Sequence, residues 1–430
     1  MKFYSTNNKD LSASFKEAVI KGLAPDGGLF YPMHLPQLDK VFIDNLQNLS
    51  LSEIGFEISR HFLDDDIPVS KLKEICEESL NFPTPLVSFE SNIYSLELFH
   101  GPSCAFKDVG ARFMSRCLSY FAQESDEKIT ILAATSGDTG SAVAKGFLGI
   151  ENIEVVILYP SGKVSQIQEQ QLTTLGKNIT ALEIDGSFDD CQALVKQAFQ
   201  DKKLNEEIKL SSANSINIAR LIPQSFYYFY AYGQLKDQNK DLVISVPSGN
   251  FGNLTAGLIA KQMGLPIKKF IASTNVNNVV PHYLETGKYE SRASIPSISN
   301  AMDVGAPSNF DRMMTLYQEN HPKICTDLKG APFNDEQTKK IMRKVYEDFA
   351  YVLDPHGAVA YLGLKQYLDQ KNEIGIFIET AHPAKFIDVV EKVIQTKVKI
   401  PNYLTDCLTK EKHSIKMANN YQIFKSYLRS

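Results

Sequence analysis

Short apolar runs alternate with helix-forming segments along most of this chain. The predicted strands are Ile129–Ala134, Ile153–Tyr159, Ile179–Ile184, Leu242–Pro247, Lys269–Ser273 and Ile374–Ile378. A polar loop follows each of them, and most of these loops lead into apolar residues at helical spacing. This alternation predicts an α/β fold with mostly parallel sheets covered by helices on both faces. In such folds ligands bind beyond the carboxyl ends of the strands, where these loops lie.

The opening of the chain has a different pattern, with helices and no strand rhythm. Phe15–Gly22, Leu51–Leu63 and Pro68–Leu80 have helical spacing, and Pro83 and Pro85 mark a boundary. We therefore expect two parallel-sheet αβα domains with an extra helical N-terminal region. The expected divisions are a helical region at 1–85, a smaller α/β domain at 86–215, and a larger α/β domain with C-terminal helices at 216–430.

Composition narrows the class of protein. The chain has 430 residues, is 43% hydrophobic and 22% charged, and has a net charge of −5. This balance gives no electrostatic case for nucleic acid or an anionic membrane, and no run is long and apolar enough for a transmembrane helix. Neither the six cysteines nor the eight histidines have metal-ligand spacing, so no metal site is expected. The default is a reduced, cytoplasmic protein.

One lysine lies at a junction between a predicted strand and a predicted helix. Lys107 lies in the run Ala105-Phe-Lys-Asp-Val-Gly110, after the alternating stretch Ile93–Phe99. Apolar neighbours there would desolvate the amine and lower its pKa, which would make it a nucleophile able to hold an aldehyde. A solvated lysine at a helix start is the ordinary alternative.

Two loops have the composition of anion sites. The loop formed by Gly249, Asn250, Phe251, Gly252 and Asn253 joins a strand to a helix, and its glycines free backbone N–H groups to face a phosphate. It matches neither the P-loop nor the dinucleotide motif, and such loops are often only tight turns.

The second loop, Ser136-Gly-Asp-Thr-Gly-Ser141, offers hydroxyl and backbone donors from Ser136, Thr139 and Ser141 to another anion. Asp138 would repel that anion, so we expect it to cap the following helix or to contact a cation or a ring hydroxyl.

Two anion sites and one cleft lysine together imply pyridoxal 5′-phosphate, with one site for the cofactor's phosphate and the other for a substrate anion. Thr380 follows the last predicted strand and offers a neutral hydroxyl to a pyridine nitrogen. Arg220 and Asn217 open a predicted helix and offer donors to a phosphate. Taken alone, Thr380 would be a helix cap and Arg220 a surface arginine.

These residues resemble a known family. The run Leu96–Met114 is similar to the lysine segment of threonine synthase, and Tyr4–Thr6, Ser14–Ala18 and Gly22–Phe30 are similar to the opening of its bacterial and fungal subgroup. The loops Ser136–Ser141, Ser248–Asn253 and Glu379–Lys385 follow in matching order. Mild departures are Ser103-Cys104, where Thr-Leu is usual, and Val109, where an aromatic residue is common.

The resemblance implies a fold-type-II pyridoxal phosphate enzyme that converts O-phospho-L-homoserine and water to L-threonine and phosphate. It implies that Lys107 is the Schiff-base lysine and base, that Gly249–Asn253 hold the cofactor phosphate, and that Thr380 faces the ring nitrogen. Asp138 matches an asparagine that approaches the cofactor's 3′-oxygen in another branch. Arg220 and Asn217 match positions suited to the substrate phosphate. A monomer or a homodimer is expected.

Two alternatives remain open. Another type-II enzyme, such as a threonine or serine dehydratase or a cysteine synthase, would lack a second phosphate site because its substrate carries no γ-phosphate. A threonine-synthase-like protein that binds a phosphorylated ligand without turnover would show no covalently held cofactor.

Overall fold

The structure is a computed structural model that describes residues 1–63, 66–123, 128–135, 137–235 and 239–430. Within these ranges its strands form three sheets. The largest has six strands, in the order Leu328–Pro332, Ile267–Thr274, Asp241–Pro247, Glu373–Glu379, Ile93–Glu97 and Leu86–Glu90. The second has five, in the order Ile415–Ala418, Ile179–Asp185, Ile153–Pro160, Ile129–Ala134 and Lys209–Ser212. The third has three, in the order Ser12–Ala13, Phe3–Ser5 and Phe30–Pro32.

Pairing in the two large sheets is parallel, with one exception. Leu86–Glu90 forms an antiparallel hairpin with Ile93–Glu97 at the edge of the six-stranded sheet. At the centre of that sheet, Ile376 of Glu373–Glu379 is in register with Ile244 on one side and Tyr94 on the other. The carboxyl ends of the parallel strands of each sheet therefore lie at one edge, as the sequence predicts.

The α-helices connect these strands. In chain order they are Phe15–Lys21, Lys40–Asn45, Leu51–Leu63, Val69–Ser79, Lys107–Gln123, Asp138–Phe147, Gln166–Thr173, Phe188–Gln200, Lys202–Glu207, Ile218–Leu221, Phe226–Gln234, Gly252–Gln262, Val279–Thr286, Phe310–Leu316, His321–Asp327, Asp335–Phe349, Pro355–Tyr367, Ile387–Ile394, Asn402–Leu408 and Tyr421–Leu428. Short 3-10 helices cover Leu46–Asn48, Ile222–Ser225, Asn300–Met302 and Pro383–Phe386.

Neighbouring residues of the central strands point into different apolar layers. Ile131 and Ile244 belong to a large buried cluster that also contains the apolar face of the N-terminal helices. Leu132 packs in a cluster on the opposite face of the five-stranded sheet, and Val243 packs in one on the opposite face of the six-stranded sheet. Each large sheet is thus covered on both faces, which confirms the predicted α/β architecture.

The N-terminal region contains the predicted helices and also a small antiparallel sheet that the sequence pattern does not predict. Leu51–Leu63 has the expected bounds, and Phe15–Lys21 ends at Gly22, whose φ of 69° suits glycine. The unpredicted strands have only two or three residues each, too short to show alternation.

Two sheet assignments differ from the expected divisions of the chain. Leu86–Glu90 and Ile93–Glu97, placed with the smaller domain, pair in the six-stranded sheet, and Ile415–Ala418 near the C-terminus pairs in the five-stranded one. The division at 1–85, 86–215 and 216–430 stays a prediction. Within the described part of the chain, no helix combines the length and apolar character needed to cross a membrane.

Candidate active site

Lys107 is the first residue of the helix Lys107–Gln123 and lines a cavity at the carboxyl ends of the strands. Backbone pairing fixes its position. Ala105 forms an antiparallel bridge with Ala381, and the Phe106 N–H donates to the Thr380 carbonyl at 2.8 Å. These contacts carry Thr380 to the same cavity, so the structure brings together two residues far apart in the sequence.

The environment of the Lys107 amine matches the expected nucleophile. Burial lowers its pKa from 10.5 to about 8, although the nearby carboxylate of Asp138 acts in the opposite direction. The positive charges of Arg220 and Lys385 act in the same direction as burial and contribute to this value. A much larger fraction of this amine is therefore uncharged near neutral pH than of an ordinary lysine.

The loop Gly249–Asn253 lies along the same cavity and begins the helix Gly252–Gln262. A Cβ atom at Gly249 would lie 2.7 Å from the carbonyl oxygen of Ala301, so only glycine fits there without a shift. Phe251 has a left-handed backbone, with φ at 61°. These features turn the loop around a small space at a helix N-terminus, as a phosphate site requires.

Side chains of this loop divide into those that fasten it and one that stays available. Asn250 donates to Ser215 Oγ at 2.7 Å and accepts from the Ser308 N–H at 2.6 Å. Asn253 Oδ1 accepts from the hydroxyls of Tyr227 and Tyr228, each at 2.6 Å. The buried Nδ2 of Asn253 has no hydrogen-bond partner among the described residues, which leaves it as a donor for an anion.

Asp138 contacts a cation, one of the roles expected for it. Its carboxylate lies 2.7 Å from Lys385 Nζ and accepts from Gln168 Nε2 at 3.0 Å. Burial would raise the pKa of Asp138, but Lys385 and Lys107 together hold it below its ordinary value. The following helix begins at Asp138 itself, with Gly137 at the cap position, so Asp138 does not cap that helix.

Arg220 is 3% exposed and lines the cavity. Its Nη1 donates to the Ala213 carbonyl, while its Nε has no partner among the described residues. No described carboxylate forms an ion pair with it, and burial lowers its pKa to about 10. A buried guanidinium with so few partners is suited to binding an anion.

The structure places the other side chains that were predicted to bind an anion in different surroundings. Thr139 lines the cavity. Ser141 is fully buried behind Asp138, whose carbonyl it bonds at 3.1 Å. Asn217 does not reach the cavity, which corrects the expectation of a phosphate contact. Its side chain caps the helix Ile218–Leu221 and donates to the Val19 and Ser212 carbonyls. Ser136 lies outside the described residues.

Several cavity residues were not singled out from the sequence. They are Phe106, Phe188, Gln192, Asn214, Ser215, Gln224, Ala301, Met302 and His356. Tyr227, Tyr228 and Lys385 act one layer behind, through Asn253 and Asp138. One signal in the sequence could have identified His356. It follows the pair Asp354-Pro355, a typical cap and first residue of a helix, and other helix starts of this chain also face the cavity.

Three family models match the chain in succession. "Threonine synthase N terminus" matches residues 2–80, "Pyridoxal-phosphate dependent enzyme" matches residues 78–378, and "Threonine synthase, C-terminal" matches residues 357–428. The second of these alone covers more than half of the chain.

Whole-chain relatives agree with these matches. Threonine synthase of Haemophilus influenzae is 47% identical over 100% of this chain and 99% of its own length. Among solved structures, threonine synthase from Escherichia coli has a TM-score of 0.95 at 44% identity, covering 100% of this chain and 99% of that one. PLP-bound threonine synthase from Brucella melitensis has a TM-score of 0.92 at 34% identity, with 100% and 99% covered. The chain therefore belongs to the threonine synthase family of pyridoxal-phosphate-dependent enzymes.

Proposed function

We propose that this threonine synthase converts O-phospho-L-homoserine and water to L-threonine and phosphate. One observation carries the proposal: the cavity that contains Lys107 has two separate side chains with hydrogen-bond donors free for an anion. They are Asn253 in the glycine loop and Arg220 in the short helix Ile218–Leu221. The donor of Asn253 would serve the phosphate of the cofactor, and the donor of Arg220 would serve the phosphate of the substrate. A dehydratase or a cysteine synthase acts on a substrate without a γ-phosphate and has no need of the second group.

The residues present fit pyridoxal phosphate. We assign its phosphate to the Gly249–Asn253 loop, with Asn253 Nδ2 as a side-chain donor, its aldehyde to Lys107, and its ring nitrogen to Thr380. When bound, the cofactor acts as an electron sink for negative charge that develops beside an amino acid's nitrogen. The Asp138–Lys385 pair lies next to these groups. It keeps a negative charge close to the Lys107 amine without binding an anion itself.

The chain's own residues then divide the remaining work. Arg220 binds and orients the substrate's phosphate. Lys107, once its amine is free, takes the proton from the substrate's α-carbon, and its lowered pKa favours the uncharged amine that this step needs. The amine must pass that proton on before it can take the second one from the β-carbon. Thr139 lies at the N-terminus of the helix Asp138–Phe147 and offers donors to the substrate's carboxylate. Water adds at the β-carbon after phosphate leaves, so closure of the cavity before that step is expected.

The direct test measures phosphate release and threonine formation together from O-phospho-L-homoserine. Equal amounts of the two products are expected, with competitive inhibition by inorganic phosphate. L-Serine and L-threonine serve as control substrates, and 2-oxo acid formation from either one at a comparable rate would favour a dehydratase. Release of neither product, in protein with covalently held cofactor, would favour another type-II enzyme. Lack of both cofactor and products would favour a binding protein.

Cofactor attachment should follow the titration of Lys107. Only the uncharged amine reacts with an aldehyde, so the attachment rate should rise as pH increases through about 8. Stopped-flow absorbance after mixing apoenzyme with pyridoxal phosphate measures this rate, with Nα-acetyl-lysine as the control amine of ordinary pKa. Asp138→Asn should move the profile to lower pH, because the carboxylate raises the pKa of Lys107. A midpoint near that of the control amine would contradict the assignment.

Two further assignments complete the proposal. We place the enzyme in the cytoplasm, because all six of its cysteines are free thiols, as expected in a reducing compartment. We also propose that it acts as a monomer or a homodimer, because all the residues assigned to the reaction come from one chain.

A further inference from the structure

Three ionisable side chains that the reaction does not use form a buried row that begins at the cavity wall and extends away from it. His356 lines the cavity, and its Nδ1 lies 2.5 Å from Asp354 Oδ1. Asp354 is fully buried and caps the helix Pro355–Tyr367, accepting from the N–H groups of His356 and Gly357. Glu379, the residue before Thr380, packs against the same helix start: a Cβ atom at Gly357 would lie 2.1 Å from its Oε1.

The other nitrogen of His356 determines which tautomer is present. His356 Nε2 lies 3.3 Å from the backbone N of Ala301, which is a donor. Nε2 must therefore accept, so the ring proton belongs on Nδ1, where it donates to Asp354. The opposite tautomer would place two donors against each other at Ala301 and two acceptors against each other at Asp354.

The Ala301 contact bears on the phosphate loop. Ala301 lies in the 3-10 turn Asn300–Met302, which touches Gly249: a Cβ atom there would meet both the Ala301 oxygen and the Met302 Cα at 2.7 Å. The turn is fastened on its other side by Asp303, which accepts from Asn275 Nδ2 at 2.7 Å and Ser297 Oγ at 2.6 Å. His356 thus holds the turn on one side, and Asp303 holds it on the other.

Of the two carboxyl groups in this row, Asp354 is the charged one and Glu379 is the protonated one. Burial first, and then the negative charge of Asp354, raise the pKa of Glu379 well above its ordinary value. The two carboxyl groups lie side by side, and a proton held on Glu379 can be donated to the Asp354 carboxylate, which makes Glu379 the protonated member of the pair. The anion that selects the His356 tautomer is then Asp354 alone.

We propose that Asp354 is a positioning residue: it holds His356 in the Nδ1–H form, so that Nε2 keeps the Asn300–Met302 turn closed on the Gly249–Asn253 loop. This raises the affinity of the loop for the phosphate of pyridoxal phosphate. The assignment of the loop rests on the function proposed above, whereas the tautomer of His356 does not depend on it.

The first test needs no variant. Nitrogen-15 NMR of the wild-type protein should show a neutral His356 that carries its proton on Nδ1 at pH 8. An Nε2–H form or an imidazolium would overturn the proposal.

Asp354→Asn tests the consequence, because asparagine keeps the helix cap but can donate to His356 Nδ1. We expect the Nε2–H form and a loss of pyridoxal phosphate affinity of about 10-fold, measured by titrating the apoprotein. Asp39→Asn, at another helix cap far from the cavity, is the matched control and should keep the wild-type affinity.

Two results separate the possible failures. If the tautomer changes in Asp354→Asn but cofactor affinity stays at the wild-type value, the positioning role is wrong, while phosphate and threonine release still decide the proposed function. Glu379→Gln replaces one neutral group with another, so the wild-type tautomer should persist in it. A changed tautomer there would show that Glu379 carries the deciding charge, and would overturn the role given to Asp354.

Discussion

Replacing Lys107 with alanine is expected to remove nearly all turnover together with the near-visible absorption of the covalently held cofactor. The variant loses the covalent anchor and the base at once, and losses of this kind amount to several orders of magnitude. Lys107 is the cavity residue whose amine has a pKa lowered to about 8. Single-turnover phosphate release and an absorption spectrum of the reconstituted protein measure the two effects separately.

A second buried lysine makes this experiment decisive. Lys385 Nζ lies 2.7 Å from Asp138 Oδ1, and the side chain is fully buried. Among the described residues near the cavity, Lys385 is therefore the one other lysine that could hold the cofactor covalently. Lys385→Met should weaken activity while keeping the cofactor absorption, and Lys128→Ala, a surface variant, should change neither. If the absorption persists in Lys107→Ala and disappears in Lys385→Met, the anchor is Lys385.

Replacing Arg220 with leucine should weaken the substrate far more than the cofactor. Loss of a bidentate, charge-assisted contact in a closed site costs roughly 2–4 kcal/mol, about a 30- to 1000-fold rise in KM. Inorganic phosphate should inhibit the wild type competitively and the variant poorly. Steady-state kinetics and a pyridoxal phosphate titration of the apoprotein provide both numbers.

The matched control is Arg112→Leu. Arg112 is partly buried and donates to the carbonyl groups of Glu78 and Ser79, but it does not line the cavity. It should lower stability without changing KM. If Arg220→Leu loses cofactor while KM is unchanged, Arg220 serves the cofactor's phosphate instead.

Much of the fold follows from local pattern. Ile129–Ala134 has the predicted bounds, and each end of the other predicted strands lies within two residues of the observed end, because apolar runs buried on both faces stand out in the sequence. The edge strand Leu86–Glu90 was missed, since it has only five residues, directly after Pro83 and Pro85, and is too short to show a clear pattern.

The sequence likewise predicts some parts of the candidate site and not others. Lys107, Gly249–Asn253 and Thr380 line one cavity, as expected of residues that follow strands of a parallel sheet, so position along the chain is enough to place them together. The ion pair of Asp138 with Lys385 and the row from His356 to Glu379 join segments that are distant in sequence. Tertiary packing alone creates these contacts, so no local pattern records them. Asn217 shows the converse: its amide Nδ2, which could donate to a phosphate, donates to the Val19 and Ser212 carbonyls, while its Oδ1 caps a helix.

The order in which strands join the sheets has a consequence for synthesis on the ribosome. Ile93–Glu97 has Glu373–Glu379 as its parallel neighbour, and Ile179–Asp185 gains its outer neighbour only from Ile415–Ala418. A nascent chain therefore carries unpaired strand edges until Glu373–Glu379 and Ile415–Ala418 have been made, and late non-local pairing of this kind is slow and prone to aggregation. Lys107 gains its final place only after Ala381 has emerged and paired with Ala105. The growing polypeptide thus cannot take up its cofactor correctly until the residues around Ala381 have been translated.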